Sequence, residues 1–243
     1  KIRNTGLVEV PMGITLRELV FDIGGGVPAG RGFKAVQIGG PSGGCVPAHL
    51  ADTPVDYEEL QEAGAIMGSG GMVVLDDTNC MVDVARFFLR FTQRESCGQC
   101  TSCRIGTLRM LEVLDRLCSG EGKHSDLDTL EELARHVSEG SLCGLGTTAP
   151  NPVVTSLRYF REEYEAHLRG ECPARRCTQL IRYYIDRGCV GCTLCAQSCP
   201  TGAIQPAPHQ RHRVQDDLCV RCDACRTVCP EQAVQRISPR NVP

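Results

Sequence analysis

CVGCTLCAQSCP (189–200) and CVRCDACRTVCP (219–230) share one reading, Cys-x-x-Cys-x-x-Cys-x-x-x-Cys-Pro. Four thiolates are needed to hold a cubic four-iron cluster, one on each iron. Three cysteines at three-residue steps wrap a loop around one side of such a cube, and the fourth must come from elsewhere. A short cysteine unit used twice is an internal repeat, and it sets residues 189–243 apart from everything before them.

In two-cluster ferredoxins the cysteine that precedes the proline serves the other cluster. The expected ligand sets are therefore Cys189, Cys192, Cys195 and Cys229 for one 4Fe–4S cluster, and Cys219, Cys222, Cys225 and Cys199 for a second. A zinc ribbon built from two Cys-x-x-Cys pairs would leave the third and fourth cysteine of each run without a role.

A third group stands at 95–103, ESCGQCTSC, with Cys97, Cys100 and Cys103 at the same step and no fourth cysteine nearby. The sequence around it supplies one by topology. MVDVARFFLRFTQ (81–93) and the segments 106–120, 126–140 and 152–170 each repeat apolar residues three and four apart, as amphipathic helices do. Gly120, Gly140 and Gly170 read as C-terminal caps and Asp126 as an N-cap. Four helices with short connections form an antiparallel bundle. The connection holding Cys97 to Cys103 and the connection between the third and fourth helices then lie at one pole. The only cysteine in that second connection is Cys143, in SLCGLGTTAPNP (141–152), so Cys143 is the expected fourth ligand of a third cluster. Cys118 falls at the opposite pole and reads as a buried thiol. Gly98, Gly144 and Gly146 are expected to bring backbone amides to the cluster sulfurs.

Residues 6–75 alternate β-like runs, GLVEVP (6–11), FKAVQIGG (33–40) and GMVVLDD (71–77), with glycine turns and a helical stretch TLRELVFDI (15–23). This is a small mixed α/β domain. GGGVPAGRG (24–32) and GGPSGG (39–44) satisfy neither phosphate-loop pattern, so their glycines read as turn residues.

Seventeen cysteines in 243 residues would suggest disulfides in a short exported chain, but the start, KIRNTGLVEV, has no apolar leader and the spacing is that of metal ligands. A net charge of −3 with mixed signs gives no footprint for nucleic acid. No apolar run is long enough to span a membrane, and the expected location is the cytoplasm. Beginning on Lys1, the chain reads as a piece of a longer protein.

NTGLVEVPMGITLRELVFDIGGG (4–26), GGPSGG, MGSGGMVVLDD (67–77), ESCGQCTSCRIGT (95–107) and SLCGLGTTAPNP together resemble the C-terminal part of the FMN- and NADH-binding flavoprotein subunit of complex I. With the cysteine repeat attached, the chain is closer to the β subunits of electron-bifurcating or NAD(P)-reducing hydrogenases and NAD-linked formate dehydrogenases. The resemblance implies an α+β multidomain chain: a ubiquitin-like, soluble-ligand-binding β-grasp domain (1–78), a four-helix iron–sulfur bundle next to a flavin (79–170), a linker (171–188) and a two-cluster ferredoxin-like domain (189–243). It also implies FMN and NAD(P) sites upstream, which nothing in this segment matches, so no hydride-transfer residue is named. Expected partners are a thioredoxin-like 2Fe–2S subunit, a hydrogenase or formate dehydrogenase catalytic subunit, and soluble ferredoxin. The expected function is electron relay; the alternative is a non-catalytic iron–sulfur scaffold or adaptor.

Twelve cysteines in three clusters leave Cys45, Cys80, Cys118, Cys172 and Cys177. In HLRGECPARRC (167–177), His167, Cys172 and Cys177 make three quarters of a zinc site. The start of the first bundle helix lies at the same pole as the end of the fourth, which makes Cys80 the expected fourth ligand and Cys45 the reserve. His209 and His212, in PAPHQRHRV (206–214), read as a solvated basic loop that would favour an acidic partner. His49, His124 and His136 receive no role.

Overall fold

Three antiparallel strands of the N-terminal third give the cysteine-bearing helices something to stand on. In this computed structural model, which describes residues 1–239, a short wide-turn helix (Glu18–Ile23) precedes β1 (Phe33–Ile38), β2 (Gly44–Pro47), α1 (Tyr57–Glu62) and β3 (Met72–Asp76). The sheet order is β2-β1-β3, with Val36 opposite both Val46 and Val74. Leu16, Val20, Val36, Ile38, Leu60 and Val74 close the core beneath it. Residues 6–11, expected as a strand, form none: Leu7 and Val8 are exposed, and no strand of the sheet pairs with them. β2 begins inside the glycine-rich stretch GGPSGG, where turn residues mask it in the sequence.

The helical part follows as α2 (Met81–Arg94), a π turn (Ser102–Gly106), α3 (Thr107–Ser119), α4 (Asp126–Glu139), α5 (Gly144–Thr148), α6 (Asn151–Tyr159) and α7 (Arg161–Leu168). Their apolar stripes meet in one core: Val82, Ala85 and Leu89 of α2, Met110, Leu114 and Leu117 of α3, Leu130 and Val137 of α4, Val153 and Leu157 of α6. Gly120 ends α3 in the left-handed conformation, at φ 83°. The segment expected as one fourth helix is broken at Phe160, whose backbone (φ −132°) turns the chain between α6 and α7. Asp126 does not cap α4. It is the first helical residue, buried, and accepts from Lys123 N–H (2.9 Å) and the Arg116 guanidinium (2.5 Å).

The sheet and the bundle share a joint. Cys45 N–H donates to Thr155 Oγ1 (2.9 Å), Tyr159 OH to the Ala63 carbonyl (3.0 Å), and Glu163 accepts both Met81 N–H (3.0 Å) and an ion pair from Lys34.

The expected linker 171–188 is only partly one. Its second half forms β4 (Arg182–Ile185), which pairs antiparallel with β5 (Val234–Ile237) and so belongs to the cysteine-repeat unit. Between them stand one-turn helices α8 (Leu194–Gln197) and α9 (Ala224–Thr227), one in each cysteine run. The register puts Ile185 opposite Val234, and these pack with Ile181, Tyr183, Ile204 and two cysteines as a small core. The last four residues of the expected domain 189–243 lie outside the described ones.

Candidate functional site

Cysteines gather at four places. In the repeat unit, one hollow is lined by Cys199, Cys219, Cys222 and Cys225, and a second by Cys189, Cys192, Cys195 and Cys229. Each hollow thus takes three cysteines of one run and the pre-proline cysteine of the other. The walls are otherwise mostly apolar: Val214, Val220 and Ile204 in the first, Ile185, Val190 and Val234 in the second. Burial, together with the neighbouring Cys219, pushes the Cys225 thiol up to about 12. That penalty on a thiolate is what a bound cationic iron group removes, so the donor set suits one.

At one pole of the bundle, the loop from α2 carries Cys97 (exposed) and Cys100 (half-buried), and the π turn holds Cys103, buried. The turn before α5 lies against this loop. Leu142 N–H donates to Cys100 Sγ at 3.4 Å, and Cys143 follows, exposed, at the N-terminus of α5. Gly146 is required for that approach, because a Cβ there would meet Ser141 at 2.5 Å and Cys103 Cβ at 3.4 Å. The backbone amide that reaches a sulfur of this loop is that of Leu142, while Gly98 N–H donates to Ser96 Oγ (3.3 Å). Ser96 Oγ accepts from Gly98 N–H and lies 3.3 Å from Cys103 Sγ, to which, as a thiolate, its hydroxyl proton can donate.

At the other pole, Cys80, His167, Cys172 and Cys177 bring one ligand atom each within 4.8 Å of the others, all buried. His167 Nε2 is 3.3 Å from both Cys80 Sγ and Cys177 Sγ, and those two sulfurs are 3.7 Å apart. Four ligands at about 2.3 Å (sulfur) and 2.0 Å (nitrogen) from one tetrahedral ion imply S···S near ~3.8 Å and S···N near ~3.5 Å. His167 Nδ1 donates to the Glu163 carbonyl at 2.6 Å, which leaves Nε2 with a lone pair aimed at the sulfurs. Backbone N–H groups of Arg176 (3.3 Å) and Cys177 (3.5 Å) donate to Cys172 Sγ. Bonds from Cys177 and Cys80 hold the Cys172 thiol well below its ordinary range, favouring thiolate.

Cys45 is elsewhere. It sits in the sheet–bundle joint with Ala35, Leu75 and Met81, where burial pushes its thiol up to about 12, so it is not the fourth member of this group. Cys118 is buried beside the group, and the neighbouring Cys177 holds its thiol below its ordinary range. His212 departs furthest from its expectation. It is not solvated but 2 % exposed, with Nδ1 3.6 Å from Cys189 Sγ. Ser96, Leu142 and His212 carried no spacing signal; only their nearness in sequence to ligand runs hinted at them.

Residues 83–167 match the NADH-ubiquinone oxidoreductase-F iron-sulfur binding region, and residues 184–236 match the 4Fe-4S dicluster domain. The chain is 53% identical over 87% of its length to HndC, a subunit of the NADP-reducing hydrogenase of Solidesulfovibrio fructosivorans, covering 44% of that protein. It is 41% identical over 71% of its length to a second F-type subunit of NADH-quinone oxidoreductase, that of Rhizobium meliloti, covering 41% of that one. The chain therefore spans less than half the length of these curated relatives. Among solved structures, an NAD+-reducing NiFe-hydrogenase superposes with a TM-score of 0.61 at 32% identity, over 69% of this chain and 28% of the other. No helix among the described residues is long and apolar enough to cross a membrane.

Proposed function

We propose, from a chain that joins the NADH-ubiquinone oxidoreductase-F iron–sulfur region to a 4Fe–4S dicluster domain, that this segment relays single electrons inside a larger NAD(P)H-linked oxidoreductase. The observation that carries the reading is the crossed sorting of the eight repeat cysteines into two hollows of four. Two structural zinc ions would not need a pre-proline cysteine to cross between runs, whereas two iron–sulfur cubes do.

In this reading Cys189, Cys192, Cys195 and Cys229 hold one 4Fe–4S cluster, and Cys219, Cys222, Cys225 and Cys199 hold its twin. Cys97, Cys100, Cys103 and Cys143 hold a third. Bound clusters supply one-electron capacity. The chain's own residues do the rest: the thiolates ligate, Leu142 N–H and Ser96 OH stabilise negative charge on the bundle sulfurs, and the apolar walls of the twin hollows bury Cys195 and Cys225 while Cys192 and Cys222 stay exposed. The exposed Cys97 and Cys143 are the bundle's outlet toward a flavin, with FMN and NAD(P) bound outside this segment. The twin clusters lead on to a 2Fe–2S subunit, a hydrogenase or formate dehydrogenase subunit, or soluble ferredoxin. Residues 1–78 serve as a β-grasp support. A zinc ion on Cys80, His167, Cys172 and Cys177 fixes the exit of the arm that begins near β4, an assignment favoured by the tetrahedral spacing and by the His167 tautomer.

Metal analysis of the anaerobically reconstituted chain tests this reading. Three cubes predict about twelve iron atoms per chain, reversibly reduced by dithionite with EPR signals from each. Stoichiometric zinc without iron, or clusters that cannot be cycled, would favour a scaffold.

A further inference from the structure

The twin hollows are alike in ligands but not in the hydrogen bonds that reach those ligands. Ala207 N–H donates to His212 Nε2 at 3.1 Å. A backbone amide can only donate, so Nε2 is the unprotonated nitrogen, and the single proton of the neutral ring resides on Nδ1. Nδ1 faces Cys189 Sγ at 3.6 Å, a distance suited to the larger radius of sulfur. His212 is buried, lines the same hollow as Cys189, and is held from both sides. With its proton on Nδ1 it is a donor to the sulfur and not a metal ligand.

The other hollow offers no matching donor among the side chains that line it. The Tyr183 hydroxyl donates to Asp223 Oδ1 (2.8 Å). Thr201 Oγ1, 3.8 Å from Cys199 Sγ, directs its proton to the Leu218 carbonyl at 2.7 Å. Both hydroxyl protons near that hollow are therefore committed elsewhere, and, against burial, it is backbone N–H groups, of Thr201, Ala203 and Ile204, that lower the Cys199 thiol there.

We propose that His212 is a positioning residue that, by donating from Nδ1 to Cys189 Sγ, raises the reduction potential of the cluster on Cys189, Cys192, Cys195 and Cys229. The proposal rests on the cluster assignment made above. Adding one electron puts more negative charge on the ligand sulfurs, and a hydrogen bond to a sulfur strengthens as that charge grows. The reduced state gains more than the oxidised one. No proton moves: the electron arrives and the ring keeps its tautomer. The cluster beside His212 is then easier to reduce than it would be without that donor.

The experiment uses the full reconstituted chain. Potentiometric EPR titration of His212→Leu is expected to lower the potential of one cluster while leaving the other two unmoved, with iron content unchanged. His212→Asn, which can present an amide N–H near the position of Nδ1, is expected to recover part of that shift. With histidine selectively labelled with ¹⁵N, the reduced wild-type cluster should show a nitrogen coupling that His212→Leu loses. Iron content and all three potentials unchanged by His212→Leu, with no histidine coupling in the wild type, would overturn the proposal while leaving the cluster assignment intact. A Cys189→Ala chain that keeps all its iron would instead overturn the assignment and the proposal with it.

Discussion

The two ends of the helical bundle both collect cysteines, and they do so in opposite surroundings. At the Cys80 end, all four ligand residues are 5 % exposed or less, the histidine is anchored by Glu163, and two backbone amides cover Cys172. At the Cys97 end, Cys97 and Cys143 face solvent, and Leu142 between the two loops is 91 % exposed. A closed, dry ligand shell around one ion suits a stabilising role, since nothing can reach the metal and unpaired thiolates would be costly to bury. An open rim suits transfer, because a redox partner must approach within short range of the cluster. On the proposed assignments, burial separates the roles of two sets of cysteines that the sequence presents in much the same way.

The sharpest way to break this contrast is to remove a ligand at the buried pole. Cys172→Ser is expected to abolish zinc binding while all cluster EPR signals persist. Structural zinc contributes on the order of 10–16 kcal/mol in small zinc peptides. Even ~4 kcal/mol of that lowers the midpoint of thermal unfolding by ~8–16 °C in a chain of this size. Calorimetry and elemental zinc measure both. An unchanged midpoint would show that the buried pole is not a stabilising clasp.

At the open pole the expected result inverts. Cys143→Ala should delete one cluster, about four of about twelve irons, and its EPR signal. Cys143 is exposed and packs against little, so the apoprotein midpoint should change by no more than ~2 °C, the range of a surface substitution. Iron analysis beside calorimetry on the unreconstituted chain separates the two effects. A large loss of stability here would erase the distinction between the poles.

Much of this arrangement is legible in the sequence because helical period and chain direction fix which loops share a pole. Period and direction alone bring Cys143 to the Cys97 loop, and Cys80 to His167, Cys172 and Cys177. Other features leave no local trace. The turn at Phe160 interrupts a continuous apolar period with neither glycine nor proline, because it is imposed by the joint that packs Phe160 against β1 and the Lys34–Glu163 pair. β4 has its partner about fifty residues away, so its four residues look like a connector until β5 is placed. His212 sits among polar, basic neighbours in 209–213. Its burial follows from Ala207 N–H and Cys189 Sγ, contacts that only the folded loop creates.

The smallest effect, and the finest probe of the open pole, concerns Ser96. Its hydroxyl accepts from Gly98 N–H and faces Cys103 Sγ at 3.3 Å, so it can donate to the one buried sulfur of that cluster. A neutral hydrogen bond contributes about 1 kcal/mol net, and more when its acceptor carries charge. If that energy is gained mainly in the reduced state, losing it lowers a one-electron potential by ~40 mV. Ser96→Ala should therefore shift the potential of the bundle cluster downward by about that amount, with iron content and the twin clusters unaffected. Ser96→Thr, which keeps the hydroxyl, should stay near the wild-type value. The measurement is a redox titration followed by EPR on the full chain. Equal potentials in Ser96→Ala and wild type would mean that the Ser96 hydroxyl contributes nothing measurable at this exposed rim, leaving Leu142 N–H as the protein donor there.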